Sequence, residues 1–235
     1  MRYAIYFTPP GHDPLTRAAA NWLGRDAFGG QVTPPARRGG LSAEEIAYFT
    51  AAARRYGFHA TLKSPFVLTE AESEQSLRLA LDHFASATAP VIIPRIVLSR
   101  LDGFFALTPF ESSDALDRLA GDIVAGFDSY RAPMTEREIE RRNPDRLSPG
   151  ELKNLYLWGY PYVFDRFRFH MTLTGRVSDA EAGRVEQAIL EHFRPLLEEP
   201  LEIDTLALFV EPEPGAPFVV RSSHMLGAMA QLENA

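Results

Sequence analysis

A pentapeptide occurs twice in this chain, and its two settings constrain the fold more than any other feature. Phe58-His59-Ala60-Thr61-Leu62 returns as Phe169-His170-Met171-Thr172-Leu173. Both copies lie in apolar, β-favouring surroundings. Residues two apart in a strand share a face, so each copy presents a His and a Thr side by side. The flanking order repeats as well: after each copy come a helical stretch, a Pro, a long strand, a turn and a return strand. His59 and Pro90 lie 31 residues apart, His170 and Pro200 30 apart. Leu81-Asp82-His83-Phe84 is echoed by Leu190-Glu191-His192-Phe193 near the ends of the two helical stretches. Agreement of motif, element order and spacing marks an internal repeat. The fold expected is α+β and bilobal: two pseudo-symmetric lobes with antiparallel sheets around a central cleft and helices outside. One domain spans 1–235, with repeat 1 at about 56–127, a connector at about 128–165 and repeat 2 at about 166–222.

Local signals fill in this frame. Tyr3 to Thr8 reads as a strand closed by Pro9-Pro10-Gly11. Asp13 or Thr16 caps a helix from Pro14 to Leu23, residues 29–40 read as loop, and Ser42 opens a helix towards Ala53. The first His strand covers about Tyr56 to Leu68, and Thr69 with Glu72 predicts a capping box for a helix to about Ala87. Ile92 to Leu101 and Phe104 to Leu107 form a hairpin around Asp102-Gly103, followed by a helix to about Phe127. The second half repeats this: a His strand from about Arg166 to Val177, a helix from Asp179 to Leu197, and strands over Leu201–Val210 and Phe218–Arg221. Between the halves lies a Pro- and Tyr-containing connector in which Arg131, Arg137, Arg141, Arg142, Arg146 and Lys153 are mixed with acids. It reads as a short charged helix and a Tyr-rich loop, and as either a solvated linker or a substrate-facing segment.

Composition excludes several classes of function. The chain has 235 residues, no Cys and a net charge of −7. Disulfides, zinc-thiolate sites, iron–sulfur clusters and Cys nucleophiles are ruled out together. An acidic whole argues against coating nucleic acid, because that affinity comes mostly from phosphate neutralisation. The N-terminal apolar run is too short for a signal peptide, no stretch approaches a membrane span, and a cytoplasmic protein is expected.

Of the six histidines, His83 and His192 sit where a cation suits a helix C-terminus, and His12 and His224 read as surface residues. His59 and His170 remain as a matched pair. A metal site is not expected, since no H-x-H, HExxH or His-x-x-Glu pattern occurs and Asp165 is the lone acid near either motif. No G-x-S-x-G, P-loop or GxGxxG is present either. What remains is cofactor-free acid–base chemistry on a phosphodiester. One neutral imidazole deprotonates water and one imidazolium protonates the leaving oxygen. Thr61 and Thr172 would hold the non-bridging oxygens, and charge building there calls for a cation. By strand parity Arg168 and Lys63 are candidates, and Tyr6, Tyr156, Tyr160 and Tyr162 are candidate wall residues.

His59-Ala60-Thr61-Leu62 and His170-Met171-Thr172-Leu173 resemble the paired H-x-[ST]-hydrophobic motifs of the 2H phosphoesterase superfamily. Arg2-Tyr3-Ala4-Ile5-Tyr6-Phe7, Arg55 to Lys63 and Trp158-Gly159-Tyr160-Pro161-Tyr162-Val163 are similar to its bacterial subfamily associated with phosphonate metabolism. The resemblance implies a bilobal fold with one motif per lobe, and a catalytic role for His59, Thr61, His170 and Thr172. It also implies a small cyclic phosphate, such as a ribosyl cyclic phosphate, as substrate. An RNA end with a 2′,3′-cyclic phosphate, as in the LigT-like group, and a non-catalytic phosphate-binding protein are the alternatives.

Overall fold

The structure, a computed structural model, describes residues 1–34 and 37–227; Pro35 and Ala36 of the expected loop lie outside that range. The strands are β1 (Arg2–Phe7), β2 (Arg37–Arg38), β3 (Leu41–Ser42), β4 (Ala60–Phe66), β5 (Val91–Ile93), β6 (Ile96–Leu101), β7 (Phe104–Pro109), β8 (Met171–Arg176), β9 (Leu201–Ile203), β10 (Thr205–Glu211) and β11 (Val219–Met225). The α-helices are α1 (Pro14–Leu23), α2 (Ala43–Arg54), α3 (Glu74–Ser86), α4 (Asp114–Gly126), α5 (Glu136–Glu140), α6 (Pro149–Trp158) and α7 (Asp179–Phe193).

The order strand–helix–three strands occurs as β4-α3-β5-β6-β7 and again as β8-α7-β9-β10-β11. The main sheet runs β11-β10-β1-β4-β8-β7-β6, with every recorded pairing antiparallel. Each His strand is thus followed in the sheet by the other half's hairpin: β7-β6 lies beside β8, and β10-β11 lies beyond β1 on the β4 side. The halves exchange hairpins across the middle. They meet at three seams: Ala60↔Met171 between β4 and β8, β7 against β8 from Phe104↔Arg176 to Leu107↔Met171, and Val91–Ile93 against Leu201–Ile203 between β5 and β9. One recorded pair joins β4 to β8, so the two His strands touch at a point and diverge from it.

Local chemistry explains most boundaries. Asp13 accepts from the Leu15 and Thr16 amides, Pro14 opens α1, and Gly24 closes it in the left-handed region. Ser42 and Glu45 form a reciprocal capping box for α2. The expected box at Thr69 is displaced: Ser73 caps α3 instead, because Thr69 donates its amide to the Tyr130 carbonyl and is held in a turn. Pro94 separates β5 from β6, in place of the one long strand expected. A further correction lies in the connector. Ser148-Pro149-Gly150 is a helix start, with Ser148 boxed to Glu151 and Pro149 at the first position, so α6 replaces an expected loop.

The helices bury the sheet's apolar face. α2 packs on β8 and α4 on β4, and α1 bridges α2 and α7. The Trp22 indole of α1 donates to the Leu173 carbonyl (3.0 Å) and is itself fully buried. Ala60, Leu62, Met171 and Leu173 enter this core at 2% exposure or less, which leaves the intervening His and Thr positions on the opposite face.

Candidate active site

Register assembles the four motif residues. Ala60 pairs with Met171 in antiparallel sense, so His59 stands opposite Thr172 and Thr61 opposite His170. The motifs interleave at this pair, and His59 bonds the hydroxyl of its own motif, Thr61. All four line one cleft of about 800 Å³, together with Tyr6, Ser64, Phe104 and Tyr160.

The two imidazoles differ in setting. His59 lies against the Tyr6 ring, stacked at 3.9 Å and 21°. Its Nδ1 contacts the Gly57 carbonyl at 3.0 Å and its Nε2 the Thr61 hydroxyl at 3.2 Å. A carbonyl only accepts, so Nδ1 carries the proton and neutral Nε2 offers its lone pair to Thr61 and the cleft. Burial, opposed in part by the Gly57 bond and reinforced by the facing His170, lowers the His59 pKa to about 4. Gly57 reaches that carbonyl position at φ +76°, and a Cβ there would stand 2.7 Å from the Ala27 methyl. His170 is fixed in the same way, Nδ1 donating to the Arg168 carbonyl at 2.8 Å, but it lies nearer the rim beside Phe104 (5.8 Å).

Four predicted site residues fall elsewhere. Lys63 does not face the cleft. The pairing of β1 with β4 skips from Ile5↔Lys63 to Tyr6↔Thr61, a bulge at Leu62. The slip turns Lys63 into the core, at 3% exposure, and puts Ser64 on the cleft wall in its place. Lys63 Nζ donates to the Val124 carbonyl (3.0 Å) and pairs with Asp128 (3.2 Å). Asp128 also holds Arg131, whose guanidinium donates to the Leu157 carbonyl. The buried lysine therefore roots the first end of the connector, and Arg131 ties that end to α6. Arg168 is exposed and lends His170 its carbonyl rather than its charge, because β8 begins only at Met171 and parity does not extend back to it. Tyr162 is exposed and packs edge-on against Tyr160 (5.5 Å, 83°), outside the cleft, and Tyr156 is exposed too. Tyr6 and Tyr160 do line the cleft.

Several lining residues belong to no motif in the sequence. Glu211, almost fully buried, is held by Arg2, Arg55 and the Gly215 amide. Burial opposes its charge, yet these donors draw its pKa down to about 2. The connector supplies Arg131, Met134, Arg141, Arg142 and Tyr160 to the wall; of the two readings left open for it, the structure places it over the cleft. Its arginine cluster is visible in sequence, but nothing local shows which way it faces. Outside the site, His224 is buried rather than superficial, bonded to Asp82 (2.6 Å) and Ser222 (2.8 Å). Among the described residues no cluster of three or more His, Cys, Asp or Glu could hold a metal ion, and no helix is long and apolar enough to cross a membrane.

An α+β molecule with two interleaved His-Thr pairs on a cleft floor is the class defined so far. The chain belongs to the family described as "Protein of unknown function (DUF1045)", which it matches over residues 61–219. It is 37% identical over 222 residues to the ribose 1,5-bisphosphate phosphokinase PhnN of Janthinobacterium sp. (strain Marseille), covering 93% of this chain and 49% of that protein. It is 37% identical over 218 residues to the protein of the same name from Laribacter hongkongensis (strain HLHK9), covering 93% and 50%. The chain thus spans about half the length of these curated relatives. Solved structures similar to it include E. coli LigT complexed with 3′-AMP, at 11% identity and TM-score 0.44 over 96% of this chain and 97% of that one. Another is TT0787 of Thermus thermophilus, at 17% identity and TM-score 0.45 over 97% and 98%.

Proposed function

We propose that the chain is a metal-independent cyclic phosphodiesterase that opens a small cyclic phosphate ester by two-histidine catalysis. The observation that carries this is the Ala60↔Met171 pairing, together with the presence of His59, Thr61, His170 and Thr172 on the wall of one cleft.

The settings of the two histidines support different roles for them. His59, with a pKa of about 4, is neutral at physiological pH, and its Nε2 lone pair, held by the Thr61 hydroxyl, is released to water when that hydroxyl turns to a non-bridging oxygen. It cannot hold a proton to donate there, so it is the base that takes one from water. His170, with Nδ1 anchored on a carbonyl, delivers a proton from Nε2 to the leaving oxygen. Water's oxygen bonds to phosphorus, the ring P–O bond breaks, and the departing alkoxide leaves as a hydroxyl. Thr61 and Thr172 donate to the non-bridging oxygens as charge grows on them.

The curated relatives suggest the substrate. Their name is that of a kinase acting on ribose 1,5-bisphosphate, yet this chain has no P-loop sequence, so the kinase name is not transferred to it. Opening a ribosyl 1,2-cyclic phosphate that carries a 5-phosphate would produce ribose 1,5-bisphosphate, the compound such a kinase consumes. Turnover of ribosyl, nucleoside and oligonucleotide cyclic phosphates tests the reading. Preference for the small esters supports it, and rapid turnover confined to oligonucleotide 2′,3′-cyclic ends overturns the substrate assignment in favour of RNA-end processing. Tight binding with no turnover of any ester overturns the reaction.

A further inference from the structure

Six arginines line the cleft; three of them are paired, and Arg176 lies exposed at the end of β8. Arg2 and Arg55 are committed to Glu211, and Arg131 to Asp128. Arg142 is different. It lines the cleft half-buried, with its guanidinium 5.0 Å over the Tyr160 ring, and among the described residues it has no ion-pair partner. Arg141 beside it is exposed, and its charge acts on Glu138, a carboxylate on the same wall that accepts from the Thr135 amide and hydroxyl. The aromatic wall continues to the base: Tyr160 lies near Tyr6 and Tyr56, and Tyr6 stacks on His59. A cation laid flat on an aromatic ring is preorganised, so little rotamer freedom is lost when it meets an anion.

The geometry points to a second anion subsite at Arg142, supported by Arg141 and floored by Tyr160, which receives a second phosphate of a substrate whose cyclic phosphate lies between His59 and His170. This rests on the proposed reaction and narrows its substrate to a doubly phosphorylated one. The sugar spans the Tyr6–Tyr160 wall, and Arg142 sets specificity rather than taking part in bond breaking.

Two probes test it: adenosine 2′,3′-cyclic phosphate and the same ester carrying a 5′-phosphate. The native protein should favour the second by about 10-fold or more in kcat/KM, as expected for a charge-assisted hydrogen bond. Arg142→Ala should bring that ratio towards one, mainly through KM, and Arg142→Lys should restore part of it. A structural role for Arg142 would lower both probes alike and leave the ratio, which would overturn the subsite. The same ratio is read as Kd by calorimetry on His170→Ala protein, where turnover is not needed. If neither probe is hydrolysed yet the Kd ratio is large and depends on Arg142, the reaction fails and the subsite stands. If both are hydrolysed at a ratio near one, the subsite fails and the reaction stands.

Discussion

The two histidines are alike in sequence and unlike in surroundings, and the difference predicts a pH profile. The acidic limb of kcat/KM reports the free enzyme's base. With His59 at about 4, activity should persist to pH 5 and fall near pH 4; a limb at the ordinary imidazole value near 6.5 would show the base to be elsewhere. The same shift acts on stability. The His59 pKa is depressed in the folded state, so stability is complete above pH 6.5 and lost as pH falls towards 4. Over that range it amounts to about 3 kcal/mol, measurable by urea titration across pH and absent in His59→Phe. Gly57→Ala should cost about 1–2 kcal/mol, because a side chain at positive φ is strained and the Ala27 contact closes the space. It should also raise the acidic limb, by disturbing the carbonyl that fixes His59.

At the scale of elements, two small irregularities decide what faces the cleft. Strand parity is a good guide only while register holds. It holds across Thr61 and Thr172 but fails at the Leu62 bulge, which sends Lys63 inward, and before Met171, which leaves Arg168 outside the strand. Nothing in the local sequence announces a bulge set by the neighbouring β1. Lys63→Met should therefore destabilise by about 3 kcal/mol, through loss of a buried partner for Asp128 and of the connector's root, with thermal unfolding as the measure. If Lys63 instead bound substrate, the loss would fall on KM with stability unchanged. In α6, Ser148→Ala should cost about 1 kcal/mol, since the Glu151 amide loses its cap.

At the scale of the molecule, the repeat was legible because both halves keep the same helix-and-strand order and nearly the same spacing. The exchange of hairpins and the insertion of β1 between β10 and β4 were not, because sheet neighbours are chosen by packing across the whole chain. The four motif residues were legible as a set for a physical reason: Ala60 and Met171 between them are fully buried, and this fixes the face of their neighbours. The arginines of the connector were visible but unplaced until Lys63, Asp128 and Arg131 tied that segment down. Glu211, which joins β1, the end of α2 and the β10–β11 turn through Arg2, Arg55 and Gly215, carried no sequence signal at all. With its pKa lowered from 4.5 to about 2, it contributes stability above pH 4.5 that is lost as pH falls towards 2. Acid unfolding should thus come in two overlapping stages, His59 first, and Glu211→Gln should remove the lower one.

Everything proposed for the cleft depends on two imidazoles, carried on interleaved strands, sharing one phosphate. The most direct test is steady-state hydrolysis of a ribosyl or nucleoside cyclic phosphate by the native protein, His59→Ala and His170→Ala, each with and without chelator. The expected result is a loss of about 10²–10⁴ in kcat for either substitution, with circular dichroism unchanged and no effect of chelator. Full activity in the double His variant, or activity abolished by chelator and restored by a metal, would contradict it.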